Sequence, residues 1–214
     1  MPDLRIIVLN YKRQENVLKI VKALQPYYPI TVVNNNPKKR FPQFGQPVEV
    51  INNDENFMCM ERWIRCFECK EEYKLILDDD MLPSRSLIER MKSFNEPMVG
   101  IYGKSEVESA TSYSELEDHW CVDSTVDFLV GSVVLVKQSA LNLIQSSIEK
   151  IGYPKRGDDI IVSYLLKKQF NLKKLRTVSG KVLMLPEGNV GLNTDPSHFL
   201  MRWKVIEKFK NSSW

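Results

Sequence analysis

The chain has 214 residues, of which 43% are hydrophobic and 27% charged, with a formal net charge of +3. That length suits one large domain whose core needs no disulfide staples. So small and mixed a charge excludes the electrostatic footprint of a nucleic-acid binder. Met1 to Arg5 leads straight into a strand-like stretch without a long apolar segment, and no run is long enough to span a bilayer. A cytoplasmic location with no membrane span is the resulting expectation.

In chain order, Arg5 to Leu9 is aliphatic and β-branched without alternation, as a central strand covered on both faces requires. Asn10-Tyr11-Lys12-Arg13 then turns into a helix. Its apolar positions Val17, Ile20, Val21 and Leu24 recur at helical spacing, and Pro26 ends it. Ile30 to Val33 and Val48 to Ile51 read as the next strands, the first closing on the polar turn Asn34-Asn35-Asn36-Pro37. The first βα turn has no glycine, which removes both the dinucleotide fingerprint and the phosphate loop. A nucleotide would need other donors at strand ends, and Arg13, Asn34 and Asn35 stand there.

Asn52 to Asn56 lead into a helix through about Lys70, with Met60, Ile64 and Phe67 on one face. Cys66 and Cys69 in that helix have C-x-x-C spacing. A tetrahedral zinc site would need a second pair or a nearby His, so Cys59, Cys66, Cys69 and Cys121 read as buried free thiols. Tyr73 to Leu77 is a short apolar strand opening onto Asp78-Asp79-Asp80. Three adjacent carboxylates repel one another unless a cation or hydrogen-bond donors hold them. Carboxylate oxygens suit Mg²⁺ or Mn²⁺, and a metal held by one or two of them keeps positions for water and nucleotide phosphates. The other reading is a solvated acidic turn or cap before Pro83-Ser84-Arg85.

A helix near Ser86 to Phe94 and a buried-type strand from Met98 to Tyr102 follow. From Lys104 to Thr125, Glu106, Glu108, Glu115, Glu117, Asp118 and Asp123 outweigh the aliphatics. This indicates a long surface loop or small excursion, placed to frame an acceptor site. Val126 to Val136 reads as a strand in which Gly131 allows a bulge or the close approach of a ligand, and Ser139 to Lys150 as a helix. Asp158-Asp159 follows Gly157 and opens an apolar helix, so the pair serves either as a cap or as part of a site. The tail turns through Leu192 to His198 before a helix from Phe199 to Phe209 that carries Arg202; His198 on its own reads as structural. The Asn211-Ser212-Ser213 sequon is informative only on a secretory route.

These signals fall into one pattern: Asn10-Tyr11-Lys12-Arg13, Val33-Asn34-Asn35, Asn56 and Arg62, Leu77-Asp78-Asp79-Asp80, Gly131, Asp158-Asp159-Ile160, and His198 through Arg202. In it the chain resembles the GT-A nucleotide-sugar glycosyltransferases. Within them it is most similar to the exostosin-like retaining enzymes and the related N-terminal glycosyltransferase domain encoded by chlorella viruses. The resemblance covers nearly the whole chain. It implies an α/β fold, a Rossmann-like three-layer sandwich with a central mixed, mostly parallel sheet flanked by helices. It further implies a single domain over residues 1–214, alone or as the N-terminal part of a longer chain.

The implied activity is metal-dependent transfer of a hexose from a UDP-sugar, such as UDP-glucose or UDP-rhamnose, to a glycan or glycoprotein acceptor with retention. A viral origin would make the product a capsid glycan built in the host cytoplasm. By motif position, Asn10, Tyr11, Arg13, Asn34 and Asn35 surround uracil and ribose, Asn56 belongs to the donor pocket, and Arg62 lies near the diphosphate or sugar. Asp78-Asp79-Asp80 is the D-x-D motif. Asp78 and Asp79 contact the nucleotide, Asp80 and Asp78 reach Mn²⁺ or Mg²⁺, and His198 and Arg202 close over the metal and leaving diphosphate. Asp159 and Asp158 are the catalytic carboxylates; the family dyad is Glu-Asp, so Asp158 is the shorter acid.

The residues support this chemistry independently. Breaking a sugar–diphosphate bond develops negative charge on phosphate, favoured by a metal at Asp80 and by Arg202. It also develops positive charge at the anomeric carbon, favoured by Asp159. Two alternatives are a non-catalytic nucleotide-sugar-binding module, admitted by Asp158 in place of Glu, and a metal-dependent phosphohydrolase using clustered Asp residues.

Overall fold

A computed structural model describes residues 3–152, 156–186 and 195–211. The turn expected over Leu192 to Thr194 and the two serines of the sequon lie outside the described residues. The chain opens with β1 (Leu4–Asn10), α1 (Gln14–Leu24), β2 (Ile30–Asn34) and β3 (Val48–Asn52). β1 shows no alternation because both its faces are covered: Leu4, Ile6 and Val8 enter one core layer and Ile7 the other. Val17, Ile20, Val21 and Leu24 are the buried stripe of α1, which returns the chain so that β2 lies parallel to β1 from Ile6↔Ile30 to Asn10↔Asn34. β3 extends the sheet outside β2.

α2 (Met60–Glu68) then crosses the sheet and β4 (Tyr73–Asp78) pairs parallel with the other side of β1. α2 stops short of the expected Lys70, and its buried face is broader than expected, adding Trp63, Cys66, Glu61 and Arg62 to Met60, while Ile64 and Phe67 are only partly covered. This reversal of direction between β2 and β4 makes the β1/β4 boundary a topological switch point. Ligands of open α/β sheets bind outside the strand ends at such a point.

β5 (Met81–Pro83), α3 (Arg85–Lys92), β6 (Met98–Gly100) and β7 (Tyr102–Ser105) come next, then β8 (Glu117–Trp120), β9 (Ser124–Val126), β10 (Phe128–Leu129) and β11 (Val133–Lys137). The surface loop expected from Lys104 to Thr125 is instead an excursion with structure of its own. It contains the 3-10 turn Tyr113–Glu115 and β8, which joins β7 and β10 in a three-stranded sheet. Backbone pairing holds β8, helped by an edge-to-face contact of Trp120 on Tyr102 at 5.3 Å. The strands expected to be continuous also break. Ile101 separates β6 from β7 where the chain leaves one sheet for another, and Val130-Gly131-Ser132 separates β10 from β11.

α4 (Gln138–Ile151), α5 (Asp158–Gln169), β12 (Leu175–Thr177), β13 (Val182–Met184) and α6 (Pro196–Asn211) complete the described elements. The main sheet has the order β3-β2-β1-β4-β11-β6-β12-β9, parallel through β4 and mixed beyond it, because β11 runs antiparallel to both neighbours. α1 and α3 cover one face, over Leu75 and Leu77; α2, α4 and α5 cover the other, over Ile76, Val134 and Val136. The expected three-layer α/β architecture is the one the chain adopts. A third cluster of Tyr113, Leu116, Phe128, Ile160 and Ile206 ties the excursion to α5 and α6. All four cysteines are free, but only Cys66 is fully buried, a correction to the expectation for Cys59, Cys69 and Cys121. Among the described residues no helix is long and apolar enough to cross a membrane.

Candidate active site

Strand register places the site. Leu9 pairs with Asp78, so the turn after β1 and the triplet after β4 stand side by side. β11 is antiparallel to β4 and therefore brings its first residues to the same edge, where Asp78 N–H donates to the Ser132 carbonyl at 2.9 Å. α5 and α6 close the third side. The result is a cavity of about 470 Å³. Tyr11, Arg13, Asn35, Asn56 and Arg62 line it, as do Asp78, Asp79, Asp80, Asp159, His198 and Arg202. Asn10, Asn34 and Asp158 lie behind the wall, each at most 2% exposed.

The acidic triplet is not a solvated turn. Asp79 and Asp80 are each 8% exposed, and Arg13 donates to Asp79 at 2.6 Å and to Asp80 at 2.8 Å. Burial raises the Asp79 carboxyl above its ordinary value against the pull of Arg13. Asp78, with its side chain 40% exposed to the cleft, is pushed up to about 7 by desolvation there; Arg62 opposes this and the neighbouring carboxylates add to it.

Arg62 joins three elements beneath the cavity floor. From α2 it donates to Asp78 at 2.7 Å, to the Gly131 carbonyl at 2.5 Å and, through Nε and Nη2, to Asp158 at 3.2 and 3.0 Å. Trp63 Nε1 gives Asp158 a further hydrogen bond at 2.7 Å. Asp158 is thus a supporting acid whose partners come from α2. Gly131 is required by this packing, because a Cβ there would lie 2.3 Å from Arg62 Nη2. Close approach was expected at Gly131, and its partner is the guanidinium.

Asp159 faces the cavity from the first turn of α5, where the helix dipole favours a negative charge. Its Oδ2 accepts Gly131 N–H at 2.9 Å and Arg202 Nη2 at 2.9 Å, and its Oδ1 accepts Ile160 N–H at 2.9 Å. Burial opposes ionisation, but Arg202 beside it and Arg62 behind it hold the carboxyl below the usual range. Gly157, with φ of +73°, stands at the N-cap, and Asp159 both accepts the first-turn Ile160 N–H of α5 and faces the cavity. His198 lies one helical turn before Arg202; burial, with Arg202 close by, pushes it down to about 4, so the ring is neutral near pH 7. Its Nδ1 is buried with no hydrogen-bond partner among the described residues.

The asparagines form a scaffold. Asn34 accepts Asn10 Nδ2 at 2.7 Å and donates to Asn52 at 2.8 Å and to the Lys39 carbonyl at 2.9 Å. Asn35 donates to the Met58 carbonyl at 2.9 Å and accepts Asn53 Nδ2 at 2.8 Å, and Asn56 Oδ1 accepts Met58 N–H at 2.9 Å. Together Asn35 and Asn56 pin Met58 at a φ of +60°, a left-handed conformation that costs a non-glycine residue about 1–2 kcal/mol. Met58 and Cys59 line the cavity, and so does Arg156, which pairs with Asp195 at 2.6 Å and donates to Ser197 Oγ at 2.8 Å. None of these three was named as a site residue from the sequence. A left-handed Met carries no residue-type signal, and Arg156 meets Asp195 only across the fold.

Among the described residues no three His, Cys, Asp or Glu side chains are gathered as a metal cage. Arg13 and Arg62 engage the triplet instead.

The cavity thus lies at a switch point, with an acidic strand end on one side and the buried Asp159–Arg202 pair on the other. Residues 4–213 match the glycosyl transferase family 64 domain, and the chain belongs to that family. No curated protein matches it significantly. Among solved structures it is similar to S. aureus TarS 1-349 in complex with UDP-GlcNAc, with a TM-score of 0.61 and 12% identity over 100% of this chain and 68% of that one. A second TarS 1-349 structure gives 0.54 and 13%, over 100% and 67%. The 4-diphosphocytidyl-2C-methyl-D-erythritol synthase from Anaerococcus prevotii gives 0.51 and 10%, over 96% of each chain. At these identities the likeness is one of fold.

Proposed function

We propose that the protein is a metal-dependent hexosyltransferase that uses a UDP-sugar, UDP-glucose or a related UDP-hexose such as UDP-rhamnose, and retains the anomeric configuration. The observation that carries this reading is the single cavity in which Asp78-Asp79-Asp80 stands across from the Asp159–Arg202 pair. The UDP-GlcNAc of the TarS complex is in keeping with it.

Because Asp78, Asp80 and His198 form no three-ligand cage among the described residues, a divalent metal would be shared with the donor substrate. Asp80 and Asp78 offer carboxylate oxygens, and neutral His198 has an unpartnered buried Nδ1 among the described residues. Mn²⁺ or Mg²⁺ held by so few side chains takes its remaining ligands from diphosphate and water. When bound, the metal neutralises charge on the leaving diphosphate. Tyr11, Asn35 and Asn56 flank the nucleotide end. Asn10 and Asn34 act from behind, shaping that wall, and Asp79 keeps Arg13 in place. Arg202 and Arg156 supply positive charge toward the diphosphate.

Asp159 is too well satisfied to act as a base. With its oxygens accepting three hydrogen bonds and its carboxyl held below the usual range, it supplies a fixed negative charge near the anomeric carbon. Retention rests on the resemblance to the exostosin-like enzymes. The finer placement beside the exostosin-like enzymes and chlorella-virus domains rests on motif positions. With it go a glycan or glycoprotein acceptor in a capsid and action in the host cytoplasm as one domain over residues 1–214, alone or as part of a longer chain. The test is UDP release from a panel of UDP-hexoses, GDP-sugars and CMP-sugars with Mn²⁺ and glycan acceptors. Turnover of a UDP-hexose is expected; turnover confined to GDP- or CMP-sugars, or to none, would overturn the reading.

A further inference from the structure

Arg202 is held against Asp159 by fewer hydrogen bonds than its burial calls for. Its side chain is 6% exposed and Nη2 donates to Asp159 at 2.9 Å, yet its buried Nε has no hydrogen-bond partner among the described residues. Among the described residues that one hydrogen bond leaves the guanidinium free to rotate about it. Beside it stands Tyr113, whose ring centroid lies 4.6 Å from Arg202 Cζ and whose hydroxyl also interacts with the guanidinium. Planar arginine stacks on aromatic faces, and the attraction strengthens where water is excluded.

The ring is itself fixed. Tyr113 is 4% exposed, stacks on Phe199 of α6 at 5.7 Å and 15°, and on Phe128 of β10 at 6.2 Å and 27°. Lys104 Nζ lies 5.0 Å from the same ring and pairs with Asp118 at 2.7 Å, anchoring the turn that carries Tyr113 to the β7–β8 hairpin.

We propose that Tyr113 is a positioning residue for glycosyl transfer: its ring holds Arg202, and through it Asp159, in the geometry that acts at the anomeric carbon. This rests on the transferase reading above. It also gives the excursion a direct link to the reacting centre, so that whatever moves the 3-10 turn moves the Asp159–Arg202 pair.

The test compares Tyr113→Phe, which keeps the ring, with Tyr113→Leu, which keeps an apolar side chain without a face. Tyr113→Phe should release UDP within about threefold of the wild type. Tyr113→Leu should lose about 10- to 30-fold in kcat while its calorimetric UDP affinity stays within about threefold. Arg202→Lys keeps the charge but not the planar group and should fall similarly, and the double variant should fall no further than the worse single one. A readout independent of turnover is the Arg202 Nε–H resonance. It should be displaced by the ring in wild type and Tyr113→Phe, and return to an ordinary position in Tyr113→Leu.

Equal kcat in Tyr113→Leu and wild type, or an unmoved Arg202 resonance, would overturn the proposal. If Tyr113→Leu does not fold, wild-type turnover in Arg202→Lys does the same. A wild-type protein that turns over no nucleotide sugar would end the transferase reading, while the resonance would still decide whether Tyr113 holds Arg202.

Discussion

A buried ion pair is costly to break from one side, because the remaining charge is left without a partner in a place water does not reach. Asp159→Asn does this to Arg202, which is 5% exposed. The variant is expected to lose about 3 kcal/mol in urea unfolding, to keep UDP affinity within a few-fold, and to release UDP orders of magnitude more slowly. A wild-type rate would return Asp159 to a purely structural role. Asp158→Asn should reduce turnover less, because Asp158 is 1% exposed behind the wall and meets Arg62 and Trp63 rather than the cavity. Gly131→Ala is expected to destabilise by about 1–3 kcal/mol, as overpacking does, and to weaken UDP binding by pushing Arg62 off Asp78. Unchanged unfolding and calorimetry would mean that Arg62 has room to move.

At the scale of elements, the parallel strands were legible because β1, β2 and β4 are covered on both faces and their aliphatic runs say so directly. The buried face of α2 was read only in part, for an equally physical reason. Apolar periodicity selects Ile64 and Phe67, whereas the helix buries Arg62 against a carboxylate on α5, and no local pattern reveals a partner that far along the chain. β8 was invisible because Glu117, Asp118 and Trp120 are exposed, and backbone pairing rather than an apolar face defines it. Most of the candidate residues meet at one cavity, but what each amide does was not legible. Asn34, expected beside a nucleobase, spends its side chain on Asn10, Asn52 and the Lys39 carbonyl. Asn34→Ala should therefore cost about 2 kcal/mol of stability by stranding those buried groups, with UDP affinity falling only modestly. A large affinity loss at unchanged stability would put that amide on the ligand instead.

For the molecule as a whole, the strand order sets where chemistry can happen. One reversal of direction at β1/β4 brings together a turn carrying Arg13 and a strand end carrying Asp78, and the antiparallel β11 adds Gly131 at the same edge. α5 and α6 then supply Asp159 and Arg202 from the far end of the chain. Arg13 pairs with Asp79 and Asp80, Arg62 with Asp78 and Asp158, and Arg202 with Asp159 around this cavity. A nucleoside diphosphate alone must therefore compete with the carboxylates for the arginines, whereas a divalent cation supplies the missing positive charge. The most direct measurement is the melting temperature with UDP in the presence of Mn²⁺ and in the presence of chelator. UDP near 100 times its Kd should raise the melting temperature by about 5 °C or more with Mn²⁺ and by much less with chelator, since only a ligand bound to the native state shifts unfolding. Equal shifts under the two conditions, or none under either, would contradict a metal-dependent UDP-sugar site at Asp78-Asp79-Asp80.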